Sequence, residues 1–394
     1  MFLLNTLPAR RQPLDDTARS VFGPTAPDTV LTFLRHCPGY RPTPLLSQPR
    51  LAHLHRVGQV LVKDESARLG LGSFKALGGA YAVLRLALTR ASGVAGRQLA
   101  PPDLMLPEHR AAFARMTVAC ATDGNHGRSV AAGARLAGCR AVIFVHAGVS
   151  DERVAAIARF GAEIIRIDGS YDDSVRASLA ACSERGWTLV SDTSWPGYEE
   201  VPALVMQGYT VIVREILDAL DEPPTHVFLQ AGVGGLAAAV AAHWTLAGPK
   251  SPAFIVVEPE RAACLHASAA AGQPVVLDPG QATVMAMLEC YEPSLVAWRI
   301  LERTASAFMA VREEDAIAAM RALATADRPI VGGESGAAGL AGLARASSDP
   351  DMRAALRLDR HSRVLVINTE GATDVARYKE LAGLDPATIG META

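Results

Sequence analysis

Short apolar runs alternate with segments of helical spacing in the middle of the chain. Apolar, β-branched runs predict strands at residues 117–121, 141–146, 163–167 and 188–191. The segments between them predict helices at residues 126–137, 151–160 and 171–185. Strands that alternate with helices at this spacing favour βαβ units and a parallel sheet.

A second, less regular series follows, and a single strand and helix precede the first one. Strands are expected at residues 59–63, 226–230, 253–258 and 363–368, and helices at residues 76–91, 209–220, 234–247, 313–327 and 336–347. Residues 1–45 are Pro-rich and are expected to be irregular, and residues 92–109 are expected to form a loop. Residues 259–310 have no clear pattern.

These elements predict an α/β protein with two domains, each with a mostly parallel sheet flanked by helices. A chain of 394 residues is long enough for two domains. We expect a large discontinuous domain, residues 1–90 and 205–394, and a small α/β domain at residues 91–204.

Composition narrows the class of protein. A net charge of −3 gives no electrostatic reason to expect nucleic acid or an anionic membrane as a partner. No apolar segment reaches the roughly 18 residues of a membrane helix, and the N-terminal apolar run is too short for a signal peptide. The six cysteines are scattered without metal-ligand spacing, which fits a reducing compartment and predicts no metal site. We therefore expect a cytoplasmic location.

Lys75 stands at a strand–helix junction between glycines, directly after Ser73 and Phe74. Partial burial there disfavours the charged form of a lysine, and a neutral amine is what Schiff-base chemistry requires. Most lysines at such junctions are simply solvated, so a catalytic role for Lys75 depends on support from other residues of the chain.

Parallel sheets bind ligands at the carboxyl ends of their strands, so residues at those ends are candidates. The run Gly232, Val233, Gly234, Gly235 and Leu236 opens a helix, and its backbone N–H groups are suited to an anion such as phosphate. It lacks the Gly-Lys-Ser/Thr of a P-loop. A tight turn selected for packing is the alternative.

Three other strand ends carry polar groups. Asp123 and Asn125 follow one strand, Asp192 follows another, and Thr369 follows the strand at 363–368. On residue type alone, turns and helix caps explain them better than a ligand site does. Taken together, a lysine, an amide, a glycine loop and a hydroxyl match the aldehyde, phenolic oxygen, phosphate and ring nitrogen of pyridoxal phosphate.

Several motifs resemble the fold type II pyridoxal-phosphate-dependent enzymes, the tryptophan synthase β and threonine dehydratase group. They are Ser73-Phe74-Lys75, Gly124-Asn125-His126-Gly127 and Gly232-Val233-Gly234-Gly235. The resemblance is stronger to the diaminopropionate ammonia-lyase branch, through the blocks around Lys75, Asp123, Asp192, Met206-Gln207-Gly208-Tyr209, Gly333-Glu334-Ser335-Gly336 and Thr369. It covers about residues 60–375.

The resemblance implies a role for each matching residue. Lys75 would be the Schiff-base lysine, with Phe74 beside the cofactor, Asn125 on its phenolic oxygen, residues 232–236 on its phosphate and Thr369 at its ring nitrogen. Ser73, Thr122, Asp123 and Asp192 would contact the substrate. A homodimer is also implied by the family.

Asp123 and Asp192 specify the implied reaction. Asp123 would be a second base on the face opposite Lys75, so that both enantiomers of 2,3-diaminopropionate lose the α-proton. Asp192 would bind or release the β-amino group, because a carboxylate attracts an ammonium leaving group. The expected products are pyruvate and two molecules of ammonia.

Cys264 and Cys290 are a candidate disulfide pair.

Two other classes remain open at this stage. One is a serine or threonine dehydratase-like enzyme or an amino acid racemase, against which Asp123 and Asp192 argue. The other is a non-catalytic protein that binds pyridoxal phosphate or an amino acid. Lys75 together with two acids argues against the second class.

Overall fold

The computed structural model of the chain describes residues 1–37, 39–106, 109–122 and 124–391. Asp123 lies outside the described residues. Strands, in chain order, are β1 (Phe2–Leu4), β2 (Leu45–Ser47), β3 (Gln59–Asp64), β4 (Thr117–Ala121), β5 (Arg140–His146), β6 (Glu163–Ile167), β7 (Thr188–Leu189), β8 (His226–Gln230), β9 (Ala253–Pro259), β10 (Ala305–Val311) and β11 (Arg363–Asn368).

Helices are α1 (Asp16–Phe22), α2 (Ala26–Leu34), α3 (Pro49–Leu54), α4 (Lys75–Ala95), α5 (Arg110–Ala114), α6 (Asn125–Ala137), α7 (Asp151–Ala158), α8 (Tyr171–Arg185), α9 (Glu200–Gly208), α10 (Thr210–Asp218), α11 (Gly235–Ala247), α12 (Cys264–Ala271), α13 (Leu295–Thr304), α14 (Glu313–Ala324), α15 (Ala338–Ser348), α16 (Pro350–Leu356) and α17 (Val375–Ala382). Short 3₁₀ turns lie at Arg68–Gly70, Pro101–Met105, Glu260–Ala262 and Ala286–Leu288.

The chain forms two compact units. Unit 1 comprises Met1–Pro24, Pro42–Ala67 and Ile212–Ala394, and unit 2 comprises Thr25–Arg41 and Arg68–Val211. The small domain predicted at residues 91–204 stays a prediction. Unit 2 differs from it in extent, because its longer segment begins at Arg68 and therefore includes all of α4.

Unit 1 is built on a seven-stranded sheet in the order β1-β10-β9-β8-β11-β3-β2. The five central strands run parallel, and the two edge strands β1 and β2 are antiparallel to their neighbours. Strand β8 is buried along its whole length, which explains its uninterrupted apolar sequence before Gln230. The carboxyl ends of β8 and β11 therefore deliver Gln230 and Thr369 to the same edge of this sheet.

Unit 2 is built on a four-stranded parallel sheet in the order β6-β5-β4-β7. Helix α4 packs on α6 through small residues. A Cβ atom at Gly79 would lie 2.8 Å from Ser129 Oγ, and one at Gly133 would lie 2.7 Å from Ala80 Cα. Glycine at these two positions therefore allows the backbones of the two helices to approach closely.

The prediction of two mostly parallel sheets flanked by helices is confirmed. The prediction that residues 1–45 are irregular is wrong, and the elements of residues 259–310 were not predicted. Residues 1–45 contain α1 and α2 and contribute edge strands, and residues 259–310 contain α12, α13 and most of β10. These elements are short, and pairing with distant strands stabilises β1 and β2 more than their local sequence does.

Helix α11 is nearly all apolar because protein surrounds it. Residues Leu236 to Trp244 are buried, and His243 Nδ1 lies 2.9 Å from the carbonyl oxygen of Phe22. Within the described ranges, no helix combines the length and apolarity needed to cross a bilayer.

Candidate active site

Lys75 and Asp192 form an ion pair in unit 2. Lys75 is the first residue of α4, and Asp192 lies three residues beyond β7. The Lys75 ammonium contacts Asp192 Oδ2, and the two side chains are 20% and 17% exposed. The structure thus brings together two of the residues that the sequence predicted for catalysis.

His126 adds a third polar group beside Asp192. Its Nε2 lies 2.7 Å from the carbonyl oxygen of Val190, which only accepts, so Nε2 carries a hydrogen. Its Nδ1 lies 3.9 Å from Asp192 Oδ2. Burial lowers the pKa of His126 by more than the neighbouring Asp192 carboxylate raises it, and Lys75 lowers it further, so the neutral imidazole is favoured.

Asp192 is held ionised by its neighbours. Burial alone would raise the pKa of this carboxyl group, but the charge of Lys75 and the hydrogen bond from Lys75 bring it well below its usual range. The site therefore presents a fixed, half-buried negative charge to any cation that replaces the lysine ammonium.

Tyr209 lies against the first turn of α4. A Cβ atom at Gly78 would be 2.6 Å from its Cε1, and its ring centroid is 4.8 Å from that of Phe74. Among the residues the structure describes, its buried hydroxyl has no hydrogen-bond partner. Burial raises the pKa of Tyr209, Lys75 lowers it and Asp192 raises it, which places the phenol within the field of the ion pair.

The turn before α6 holds the other predicted residues of unit 2. Asn125 is the first residue of the helix and is buried, and Gly124 has φ +154°. Thr122 Oγ1 accepts hydrogen bonds from the backbone N–H groups of Gly124 (3.0 Å) and Gly127 (3.1 Å). This capping occupies the Thr122 oxygen, so a substrate role for Thr122 stays a prediction. Ser73 is buried.

The glycine loop of unit 1 connects β8 to α11. Gly234 has φ +97°, a conformation that favours glycine, and no side chain caps the helix that follows. A Cβ atom at Gly232 would lie 2.8 Å from Cys290 Sγ. The N-terminal N–H groups of a 13-residue helix are therefore without a side-chain cap, which suits an anion.

Thr369 follows β11 and is 2% exposed. Its hydroxyl lies 3.1 Å from Gln230 Nε2, at the end of the neighbouring strand β8. The structure therefore places Thr369 and the glycine loop after adjacent strands of one sheet, as the strand-end argument predicts.

Sequence reasoning gave no role to three buried residues near these groups, His126, Tyr209 and Gln230. His126 and Tyr209 lie inside the quoted motifs, and Gln230 is a polar residue ending a buried apolar strand. For Gln230, the signal that could have identified it was a polar residue at the carboxyl end of a parallel strand.

Cys264 and Cys290 both lie beside Gly232. The Cys264 thiol contacts the carbonyl oxygen of Gly232 at 3.8 Å, and burial raises its pKa. The six cysteines all lie in the described ranges, and none of them forms a disulfide, so this candidate pair is not bridged in the structure.

Comparisons with known proteins identify the family. The sequence profile described as "Pyridoxal-phosphate dependent enzyme" matches residues 37–370. A diaminopropionate ammonia-lyase of Escherichia coli strain K12 is 41% identical over 355 residues, 87% of each chain. The chain belongs to the diaminopropionate ammonia-lyase family of pyridoxal-phosphate-dependent enzymes.

Two further relatives extend this family assignment. The Salmonella typhimurium diaminopropionate ammonia-lyase is 37% identical over 366 residues, covering 89% of this chain and 90% of that one. The crystal structure of the Escherichia coli enzyme "in complex with aminoacrylate-PLP azomethine reaction intermediate" matches with a TM-score of 0.84 and 37% identity, covering 97% and 96%. The fold is therefore PLP fold type II, and the family is one of pyridoxal-phosphate-dependent lyases.

The residues present fit the family's cofactor. The uncapped start of α11 suits its phosphate, and the hydroxyl of Thr369 suits a ring nitrogen. Lys75 supplies a primary amine in the setting that Schiff-base chemistry requires. Each of these assignments to the cofactor is a proposal, developed below.

Proposed function

We propose that this chain is a pyridoxal-phosphate-dependent ammonia-lyase that converts both enantiomers of 2,3-diaminopropionate, with water, to pyruvate and two molecules of ammonia. The observation that carries the proposal is the Lys75–Asp192 ion pair, in which a half-buried carboxylate already accepts an alkyl ammonium. The identity to two enzymes named diaminopropionate ammonia-lyase supports the same substrate.

The cofactor's contribution, when bound, is an electron sink that stabilises the carbanion left by removal of the α-proton. Lys75 holds the cofactor covalently and later accepts the α-proton from one face of the substrate. Residues 232–236 hold the phosphate through backbone N–H groups, Thr369 donates to the ring nitrogen, and Asn125 contacts the phenolic oxygen. Phe74 lies beside the lysine, whose Nζ is 5.6 Å from the centre of the ring.

Asp192 selects for a β-amino group. Once the Lys75 amine is engaged covalently, its ammonium charge no longer compensates Asp192. The substrate's β-ammonium restores the pairing, and its protonated state makes ammonia the leaving group. A β-hydroxyl, as in serine, brings no compensating charge, which argues against the dehydratase alternative.

Asp123 acts as the base on the second face, and Ser73 and Thr122 contact the substrate. For Asp123 the support is the family resemblance of the Thr122-Asp123-Gly124-Asn125 turn. A base on each face accounts for turnover of both enantiomers, whereas Lys75 alone serves one face.

The chain is proposed to act as a cytoplasmic homodimer in amino acid degradation. The family resemblance supports the dimer, and scattered cysteines without disulfides suit a reducing compartment. Sedimentation equilibrium of the purified holoenzyme measures the dimer directly, and a monomeric mass at micromolar concentration contradicts it.

The test of the function is a product assay. Purified holoenzyme is incubated separately with D- and L-diaminopropionate, L-serine, L-threonine and D-serine, and pyruvate and ammonia are quantified. We expect one pyruvate and two ammonia per diaminopropionate of either hand, and no turnover by Lys75→Ala. Faster release of 2-oxo acid from L-serine or L-threonine, or interconversion of enantiomers without pyruvate, would favour the dehydratase or the racemase.

A further inference from the structure

The side-chain amide of Gln230 is locked in one orientation at the end of β8. Its Nε2 lies 2.8 Å from the carbonyl oxygens of Gly336 and Ile367 and 3.4 Å from that of Ser335. Carbonyl oxygens only accept hydrogen bonds, so the NH₂ group faces them and the amide oxygen does not. Gln230 is 2% exposed, and water does not compete for these contacts.

This orientation decides the direction of the Thr369 hydroxyl. Gln230 Nε2 lies 3.1 Å from Thr369 Oγ1. An amide nitrogen has no lone pair available to accept, so the hydroxyl hydrogen cannot point at Gln230. Within the part of the chain that the structure describes, no acceptor takes that hydrogen, although Thr369 is 2% exposed.

We propose that Gln230 is a positioning residue that fixes the Thr369 hydroxyl as a hydrogen-bond donor toward the pyridine nitrogen of the cofactor. The inference rests on the proposed function, in which Thr369 faces that nitrogen. The two hydrogens of the Gln230 NH₂ group face four oxygen atoms, so Thr369 Oγ1 shares one of them with a carbonyl oxygen. The hydroxyl hydrogen still cannot point at this NH₂ group, and the acceptor it fits is the lone pair of an unprotonated ring nitrogen. Gln230 thereby sets the protonation state of the ring without touching it.

Removal of the amide redirects the hydroxyl. In Gln230→Met the side chain keeps its length, but the carbonyl oxygens of Gly336 and Ile367 lose their donor. Thr369 Oγ1 also loses the NH₂ group that faces it at 3.1 Å, so the hydroxyl is no longer held as a donor toward the ring nitrogen.

The readout is the ¹⁵N resonance of the ring nitrogen in holoenzyme reconstituted with ¹⁵N-labelled pyridoxal phosphate. Thr369→Val marks the position of the resonance without the hydroxyl. We expect Gln230→Met to move the wild-type resonance to the Thr369→Val position. The dissociation constant of the cofactor should rise about 2- to 10-fold, the effect of one hydrogen bond.

A double variant separates positioning from a general structural effect. In the Thr369→Val background, Gln230→Met should leave the resonance unmoved, because no hydroxyl remains to direct. Gln48→Met is the matched control, since Gln48 is equally buried in unit 1 and its Nε2 donates to the carbonyl oxygen of Arg328 at 2.7 Å. It should lower stability and leave the resonance unchanged.

The outcomes distinguish this inference from the proposed function. If Thr369→Val does not move the resonance, Thr369 does not face the ring nitrogen and that cofactor assignment fails. If Thr369→Val moves it and Gln230→Met does not, only the role of Gln230 is overturned. If Gln230→Met does not fold, a crystal structure of the wild-type holoenzyme tests the role of Gln230 by showing the partners of the Thr369 hydroxyl. Thr369 Oγ1 in contact with both the ring nitrogen and Gln230 Nε2 supports the inference, and a different partner for the hydroxyl overturns it.

Discussion

Asp192 carries a strongly perturbed charge in the proposed active site. Its carboxylate is paired with Lys75, and His126 Nδ1 lies 3.9 Å away. A buried charge of this kind is sensitive to loss of its partner, since an uncompensated charge in a protein interior costs several kcal/mol. Asp192 therefore favours a cationic group at the position that the Lys75 ammonium occupies in the structure.

Asp192→Asn should weaken the enzyme toward diaminopropionate by about 100-fold or more in kcat/KM, because the β-ammonium loses its counter-charge. The matched measurement is inhibition by serine, whose β-substituent is neutral. The inhibition constant for serine should change far less than kcat/KM for diaminopropionate. An equal loss for both ligands would refute charge selection by Asp192.

Asp123→Asn should separate the two enantiomers. The variant loses one of two proposed bases, so turnover of one enantiomer, expected to be D, falls about 10²- to 10⁴-fold while the other falls much less. Separate kcat/KM values for D- and L-diaminopropionate check this. Equal loss on both would defeat the two-base hypothesis.

At the residue scale, the sequence predicted the groups whose chemistry can be read one at a time. Lys75, Asp192 and Thr369 stand at strand or helix ends, where parallel sheets place ligands. His126, Tyr209 and Gln230 were not assigned roles because their importance comes from which atoms face them. Gln230 matters only because three carbonyl oxygens fix its amide, and those carbonyls come from residues more than 100 positions away.

At the scale of elements, the contact of α4 with α6 depends on glycine. Gly133→Ala should lower stability by about 1–3 kcal/mol, because its Cβ would meet the backbone of Ala80 at 2.7 Å and backbone cannot easily move aside. Gly93→Ala is the control in α4, with no heavy atom within 4 Å of its Cβ. It should be stabilising by about 0.5–1 kcal/mol through helix propensity. Urea unfolding gives the free energy of unfolding of both variants. A change in the same direction for both would contradict the prediction.

The contact of α3 with α15 and α16 contains a histidine that resists protonation. His55 Nδ1 lies 2.9 Å from Ser347 Oγ, and Arg353 donates to the His55 carbonyl oxygen at 2.9 Å. Burial, with a smaller contribution from Arg353, lowers the pKa of His55 to about 4. The unfolded chain takes up the proton near pH 6.5, so stability from this site is lost as pH falls from about 6.5 toward 4.

His55→Gln should remove that loss, because glutamine keeps a donor for Ser347 and does not titrate. Relative to wild type, the variant should gain on the order of 1–2 kcal/mol between pH 7 and pH 5. Chemical denaturation at both pH values gives the difference. The exposed His53 supplies the control, His53→Gln, for which no such gain is expected. A pH-independent difference for His55→Gln would contradict the buried neutral imidazole.

The elements that the sequence predicted well are those with a repeated local pattern. Strands β4 and β6 and helix α8 were predicted at their observed bounds, because alternating strands and helices provide the signal within a short window. The helix predicted at residues 209–220 corresponds to α10, Thr210–Asp218, but α9 was missed. Helix α9 begins at Glu200 and ends at Gly208, whose Cβ would lie 2.5 Å from the Leu77 carbonyl oxygen.

At the scale of the whole chain, contacts between distant segments hold unit 1 together. Asn5 Nδ2 donates to the carbonyl oxygens of Glu302 (2.9 Å) and Ala305 (2.8 Å), about 300 residues along the chain. Strand β1 pairs with β10 in the same region. A three-residue strand of this kind has no local signal, which is why the N-terminal segment was predicted to be irregular.

Asn5→Ala should lower stability by about 1–3 kcal/mol, since two backbone acceptors lose their donor at the junction of α13 and β10. Gln12→Ala is the control, because the Gln12 amide is exposed and donates to the carbonyl oxygen of the nearby Pro8. It should change stability by less than about 0.5 kcal/mol. Thermal unfolding of both variants is the measurement, and equal effects would show that the Asn5 contacts contribute nothing specific.

The interleaved order of the two units has a consequence during synthesis on the ribosome. The last segment of unit 2 ends at Val211, whereas unit 1 needs β11, which ends at Asn368, 368 − 211 = 157 residues later. At about 5–20 residues per second, that interval is roughly 8–30 seconds. Throughout it, the newly made β3 lacks its parallel neighbour and exposes an apolar strand edge. The nascent chain is therefore most prone to aggregation after unit 2 is complete, and this is the period in which a chaperone would protect it most.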